Sequence, residues 1–176
     1  MTISANAMSY NKAKNEALFL SDKMAWELNL TDAQYEAVYE INLDYLMSVD
    51  SRADVFGIWW DRRNADLRFV LNSWQYDKYK ALSHFYRPLS WNNGDWIFNI
   101  YAHYDRGHFY NARPKVFMTY RGGNNRNADR FYADRHVAKP APKTPVARKT
   151  PALAAKSHNN AIRRNSGSNS HFGGRR

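Results

Sequence analysis

Every carboxylate and all but one aromatic side chain of this chain lie before residue 135, and that partition decides which part of it can fold. Residues 1–134 carry 16 Lys and Arg against 16 Asp and Glu, together with 26 of the 27 Phe, Trp and Tyr. A stretch with no net charge and so much large apolar surface can bury a core. Residues 135–176 carry 10 Lys and Arg, no carboxylate and one aromatic residue, Phe172. A segment of that kind cannot offset the entropy lost on ordering, so a disordered tail is expected from Arg135 onward. The net charge of +10 therefore belongs to the tail and not to the domain.

The chain has no cysteine, which excludes a disulfide framework, a thiolate metal site and a cysteine nucleophile. It has no apolar run of the roughly 18 residues that a membrane span requires. Ala5-Asn6-Ala7 has the form of a signal-peptidase site, but no basic and apolar stretch precedes it. Residues 1–9 are read either as the remnant of a signal peptide or as a short flexible N-terminus.

Apolar periodicity divides residues 10–88 into four helices. Asn11 to about Asn29 places Ala13, Ala17, Leu20, Met24 and Leu28 at three- and four-residue steps, the helical period. Asp32 to about Val49 is expected to be a second helix, Ser51 to Leu71 a third with a weak spot at Gly57, and Ser73 to about Tyr86 a fourth. Pro88 closes the last by biasing Arg87 away from helical geometry. Beyond it, residues 89–121 are rich in aromatic and β-branched residues. Asp95–Tyr104 and Lys115–Tyr120 are expected to be two short strands or an extended aromatic wrap. Gly122-Gly123 reads as a turn, and a helical turn is expected before Asp134. The expected architecture is thus mainly α. A single domain over residues 10–134 holds about four helices in antiparallel hairpins and a short aromatic-rich extended or β segment, and a disordered Pro-, Lys- and Arg-rich tail follows over residues 135–176.

One local motif has a mechanism. In Leu30-Thr31-Asp32-Ala33-Gln34-Tyr35, the Thr31 hydroxyl can accept the backbone N–H of Gln34, while the Gln34 side chain reaches back to the N–H of Thr31. That reciprocal pair is a capping box, and Leu30 against Tyr35 adds a hydrophobic staple. The arrangement recurs 41 residues later as Leu71-Asn72-Ser73-Trp74-Gln75-Tyr76, with Asn72 at the cap and Gln75 at the third helical position. The two copies mark the starts of the second and fourth helices.

A repeated Leu-Thr-x-x-Gln in a small helical protein resembles the LTxxQ family of periplasmic proteins, of the Spy and CpxP type. The first copy, LTDAQ, matches in full; the second, LNSWQ, has Asn in place of Thr. The resemblance covers residues 10–86. It implies a curved helical dimer outside the cytoplasm that binds unfolded clients on its concave face.

Trp59-Trp60-Asp61-Arg62-Arg63 is a candidate surface for apolar partners. Consecutive helical residues point about 100° apart, so either one tryptophan is exposed and stacked under Arg62 or Arg63, or the helix is covered on two sides. His84, His103, Asp105 and His108 have no established ligand spacing, and no metal or cofactor is expected. No nucleophile elbow, zinc-protease helix or phosphate loop is present, and no enzymatic activity is expected. The carboxylates of the helices read as a solvated surface. In the tail, Arg148, Lys149, Arg163, Arg164, Arg175 and Arg176 provide a salt-sensitive attraction to polyanions. Two functions follow as expectations. One is a periplasmic or secreted chaperone-like protein; the other is a cytoplasmic nucleic-acid-associated protein acting through its tail.

Overall fold

The computed structural model describes residues 7–140. The basic residues Arg148, Lys149, Arg163, Arg164, Arg175 and Arg176 lie outside the described residues, as do the first six of the chain. The described part is mainly helical with one small antiparallel sheet. Helix α1 spans Tyr10–Leu28 and α2 spans Asp32–Ser48, and the two pack as an antiparallel hairpin. Ser9 caps α1 by accepting the backbone N–H of Lys12 at 3.2 Å. The helix ends where Asn29 takes a left-handed conformation, φ 53°, one of the few non-glycine residues that tolerate it. Ala13, Ala17, Leu20, Met24 and Leu28 are all buried, as their period requires.

Helix α2 lies at the centre. Twelve of its 17 residues are buried, because α1, α3 and the segments around Phe117 and Asn125 each cover a different side. One apolar stripe therefore does not describe it, and Asn42 and Asp44 are buried along with its apolar residues.

The third and fourth helices are shorter than their periodicity suggests. Arg52–Phe56 forms a 3₁₀ turn, Gly57 interrupts it, and α3 runs over Ile58–Val70. Helix α4 covers Ser73–Ala81; Leu82 is extended, and Ser83–Tyr86 makes one more turn, α5. The expected weak spot at Gly57 is a true break, and it turns Phe56 and Ile58 outward.

Strands form earlier in the chain than the aromatic runs suggest. β1 (Leu89–Asn92) pairs antiparallel with β2 (Asp95–Phe98), with Leu89 opposite Phe98 and Trp91 opposite Trp96. Asn93 and Gly94 both have positive φ, 51° and 80°, the requirement of a two-residue hairpin turn. The remainder of the aromatic segment is not strand. Asn99–Ala102 and Lys115–Phe117 are 3₁₀ turns, so of the two expectations for Lys115–Tyr120 the strand is absent and a wrap whose rings dock singly takes its place, as the other expectation had it. Residues 124–127 form the expected helical turn, α6.

Three buried aspartates, one from each of α1, α2 and α3, fasten this wrap. Asp22 accepts the backbone N–H groups of Tyr110 and Asn111 at 2.9 and 2.7 Å. Asp44 accepts those of Gly123 and Asn125 at 2.8 and 3.1 Å and the Tyr120 hydroxyl at 2.8 Å. Asp66 accepts that of Tyr132 at 3.0 Å. The helix carboxylates are thus not uniformly a solvated surface. Each of these three satisfies loop backbone donors that would otherwise be buried without partners. Beside Asp22, the ammonium of Lys23 is fully buried, paired to that carboxylate at 2.7 Å and boxed by the rings of Phe19 and Phe109. Burial pushes the Lys23 ammonium below its ordinary pKa, against the opposing pull of Asp22.

Candidate functional site

Both capping boxes form as their sequences dictate. Gln34 N–H donates to Thr31 Oγ1 at 3.1 Å while Thr31 N–H donates to Gln34 Oε1 at 3.0 Å. The second box closes equally, through Gln75 N–H to Asn72 Oδ1 at 2.8 Å and Asn72 N–H to Gln75 Oε1 at 2.9 Å. The two boxes also meet each other. The glutamine side chains exchange amide hydrogen bonds, Gln34 Nε2 to Gln75 Oε1 at 2.6 Å and Gln75 Nε2 to Gln34 Oε1 at 3.0 Å. Each amide also donates to the end of the other hairpin's first helix, Gln34 to Val70 O at 3.0 Å and Gln75 to Leu28 O at 3.1 Å. The pattern is that of a local two-fold: hairpin α1–α2 and hairpin α3–α4 are locked at equivalent points by equivalent residues. Leu30, Tyr35 and Leu71 are buried and Tyr76 packs on the same core, so the apolar residues of both motifs share one core.

The Trp-Trp-Asp-Arg-Arg run divides. Trp59 and Trp60 are both half-buried, which matches neither of the two simple alternatives. Arg62 stacks over the Trp59 ring at 5.0 Å and pairs with Asp129 at 2.7 Å. Trp60 donates its indole N–H to Tyr86 O at 2.8 Å and meets Phe56 edge-on at 5.3 Å. Arg63 points inward. It is 2 % exposed and donates to Asn42 Oδ1 at 2.9 Å and to the Tyr79 hydroxyl at 2.8 Å, so it is not part of the accessible surface.

Two residues that the sequence reading passes over complete the patch. Phe56 and Ile58 are 51 % and 54 % exposed on either side of Gly57. The Arg87 guanidinium lies 5.3 Å over the Phe56 ring. Next to Ile58, a groove of about 280 Å³ is lined by Asp61, Arg62, Ala65, Asp129 and Arg130. The signal that exposes them was present: a glycine inside a helical period, flanked by two large apolar residues that a broken helix cannot keep on one face.

The histidines do not assemble. His84 is buried with its ring 4.1 Å from that of His103, whereas His108 stands apart against Tyr110. Burial, aided by His103, pushes the His84 imidazole down to about 4. Among the described residues no group of three or more His, Cys, Asp or Glu is arranged to hold a metal ion. None of their helices is long and apolar enough to cross a membrane. Comparison with protein-family models, with curated proteins and with solved structures gave no match.

Proposed function

We propose that this chain is an extracytoplasmic, chaperone-like protein that holds unfolded or apolar segments of other proteins on the surface formed by Phe56, Ile58, Trp59 and Trp60. The observation that carries this reading is the exposure of Phe56 and Ile58 beside two half-buried tryptophans. Phe56 meets Trp60 edge-on at 5.3 Å; exposed apolar surface rimmed by polar groups marks an interaction site, and aromatic anchors dominate the energy of such contacts. The rim is polar and of mixed charge, with Asp61, Arg62, Asp129 and Arg130 beside Ile58 and Arg87 over the Phe56 ring. The resemblance of the paired capping motifs to the LTxxQ family supports the same reading, the periplasmic location included. The dimer which that resemblance implies belongs to the proposal as well.

The test is suppression of aggregation of a chemically unfolded model protein, without ATP, by the full chain and by its Phe56→Ser, Ile58→Ser double variant. Protection by the wild type that the double variant loses supports the reading. Equal protection by both moves the activity elsewhere on the protein. Absence of protection by both leaves the motifs as helix caps alone. The second reading, attraction of nucleic acid or an anionic envelope surface, is favoured by the ten basic residues and no carboxylate of residues 135–176. It predicts binding that weakens steeply with salt.

A further inference from the structure

We propose that the two capping boxes together form a docking ledge for an extended, proline-containing polypeptide segment of a partner protein, and that residues 137–140 of the chain itself occupy this ledge. Composition assigns those residues to the tail, yet they lie on the domain. Thr31 Oγ1 donates to Ala138 O at 2.7 Å, and Asn72 Nδ2 donates to Pro140 O at 3.3 Å. Val137 packs against the main core.

The spacing explains what the ledge reads. Thr31 and Asn72 are equivalent caps of the two locked hairpins, so the domain presents two side-chain donors along one line. In an extended chain, alternate residues face the same side, and carbonyls 138 and 140 meet the two donors in turn. Lys139 precedes Pro140, and a residue before proline is biased toward extended geometry. Proline has no N–H of its own to satisfy. Both contacts are to main-chain carbonyls, so the ledge recognises conformation, with an aliphatic side chain at the Val137 position and a proline three residues on. Two open grooves border the occupied stretch, both lined in part by Lys139. A groove of about 340 Å³ lies along Phe69, His136 and Val137. A larger cleft of about 580 Å³ lies between Arg68, Tyr76 and Asp77, next to Asn72 and Lys139.

A tethered segment competes with any partner at an effective concentration of the order of millimolar, so the intact chain binds weakly and release of the segment unmasks the ledge. This inference does not rest on the proposed client surface, which lies on different residues.

The test uses a fluorescein-labelled peptide with the sequence of residues 136–141 and the full-length protein in anisotropy titrations. Val137→Asp, with Val137→Ser as the milder second variant, loosens the internal segment and is expected to raise the apparent affinity at least tenfold over the wild type. Adding Thr31→Asp and Asn72→Asp retains both caps, since aspartate accepts the same backbone N–H groups, but removes both donors and is expected to abolish the gain. Circular-dichroism melts establish that each variant compared is folded. Peptide binding that does not rise when Val137 is replaced, or that survives loss of both donors in a folded protein, overturns the proposal.

Discussion

Replacement of Gln75 by leucine isolates the junction on which the paired hairpins depend. Gln75 is fully buried, and its side chain serves three groups at once. It accepts from Asn72 N–H at 2.9 Å, donates to Leu28 O at 3.1 Å, and exchanges bonds with Gln34. Leucine has similar bulk and no polar atom, so a backbone donor and a backbone acceptor lose their partners. An orphaned buried polar group costs about 1–3 kcal/mol, and leucine recovers part of this as apolar burial. The expected loss is about 3 kcal/mol, a large share of the roughly 5–15 kcal/mol that stabilises a domain. Urea unfolding followed by circular dichroism would report it as a lower midpoint with an unchanged slope. Gln34→Leu is expected to cost a similar amount. Because either substitution breaks the shared amide pair, the double variant should cost less than the sum by about 1–2 kcal/mol. Strict additivity, or a loss below about 1 kcal/mol for Gln75→Leu, would refute the view that the two boxes act as one unit.

The wrap and the buried titratable groups also respond to perturbation in defined ways. Gly122 has φ +94°, and a Cβ there would lie 2.7 Å from Met47 Sδ. Gly122→Ala should therefore cost about 1–2 kcal/mol, mostly from the left-handed backbone, measurable as a lower thermal midpoint. His84 is held near 4 against an ordinary 6.5, so its contribution is complete above pH 6.5 and is lost as pH falls toward 4, by about 3 kcal/mol at most. Asp66 acts oppositely. Burial raises it from 3.8 to about 6, so the stability it withholds at neutral pH returns as pH falls from 6 toward 4, by a similar amount. Burial also raises Glu40 and Asp44, which add a gain on acidification common to all the proteins compared; relative to the wild type, His84→Gln should therefore gain more stability on acidification and Asp66→Asn less, by urea midpoints at pH 7 and 5. Parallel profiles for the two variants would contradict the assignment.

What was legible in the sequence was local. A capping box needs residues only three positions apart, so Thr31–Gln34 and Asn72–Gln75 could be read directly, and Pro88 and Gly57 marked true ends and breaks. The mutual bond between Gln34 and Gln75 spans 41 residues, and no periodicity encodes it. The hairpin at Leu89–Phe98 was encoded by Asn93-Gly94; the aromatic run from Asp95 marked its second strand, but its first, Leu89–Asn92, was passed over in favour of Lys115–Tyr120. Asp22, Asp44 and Asp66 resemble surface carboxylates because their partners are backbone N–H groups 66 to 89 residues distant. Arg63 is similar: its burial depends on Asn42 and Tyr79, from helices on either side of α3 in the chain. The accessible patch was half legible, since Trp59 and Trp60 were conspicuous, while the exposure of Phe56 and Ile58 required knowing that Gly57 breaks the helix.

A direct binding titration tests most sharply the proposal that the Phe56–Trp60 surface holds unfolded polypeptide. Fluorescein-labelled, reduced and carboxymethylated lactalbumin would be titrated with the full chain and with the Phe56→Ser, Ile58→Ser variant, at low and at high salt. Both side chains are about half exposed, so covering each is worth about 1 kcal/mol. The expected result is saturable binding that the double variant weakens at least tenfold and that salt changes little. Binding that both proteins share equally, or that salt abolishes, would contradict it and transfer the activity to the basic residues after 134.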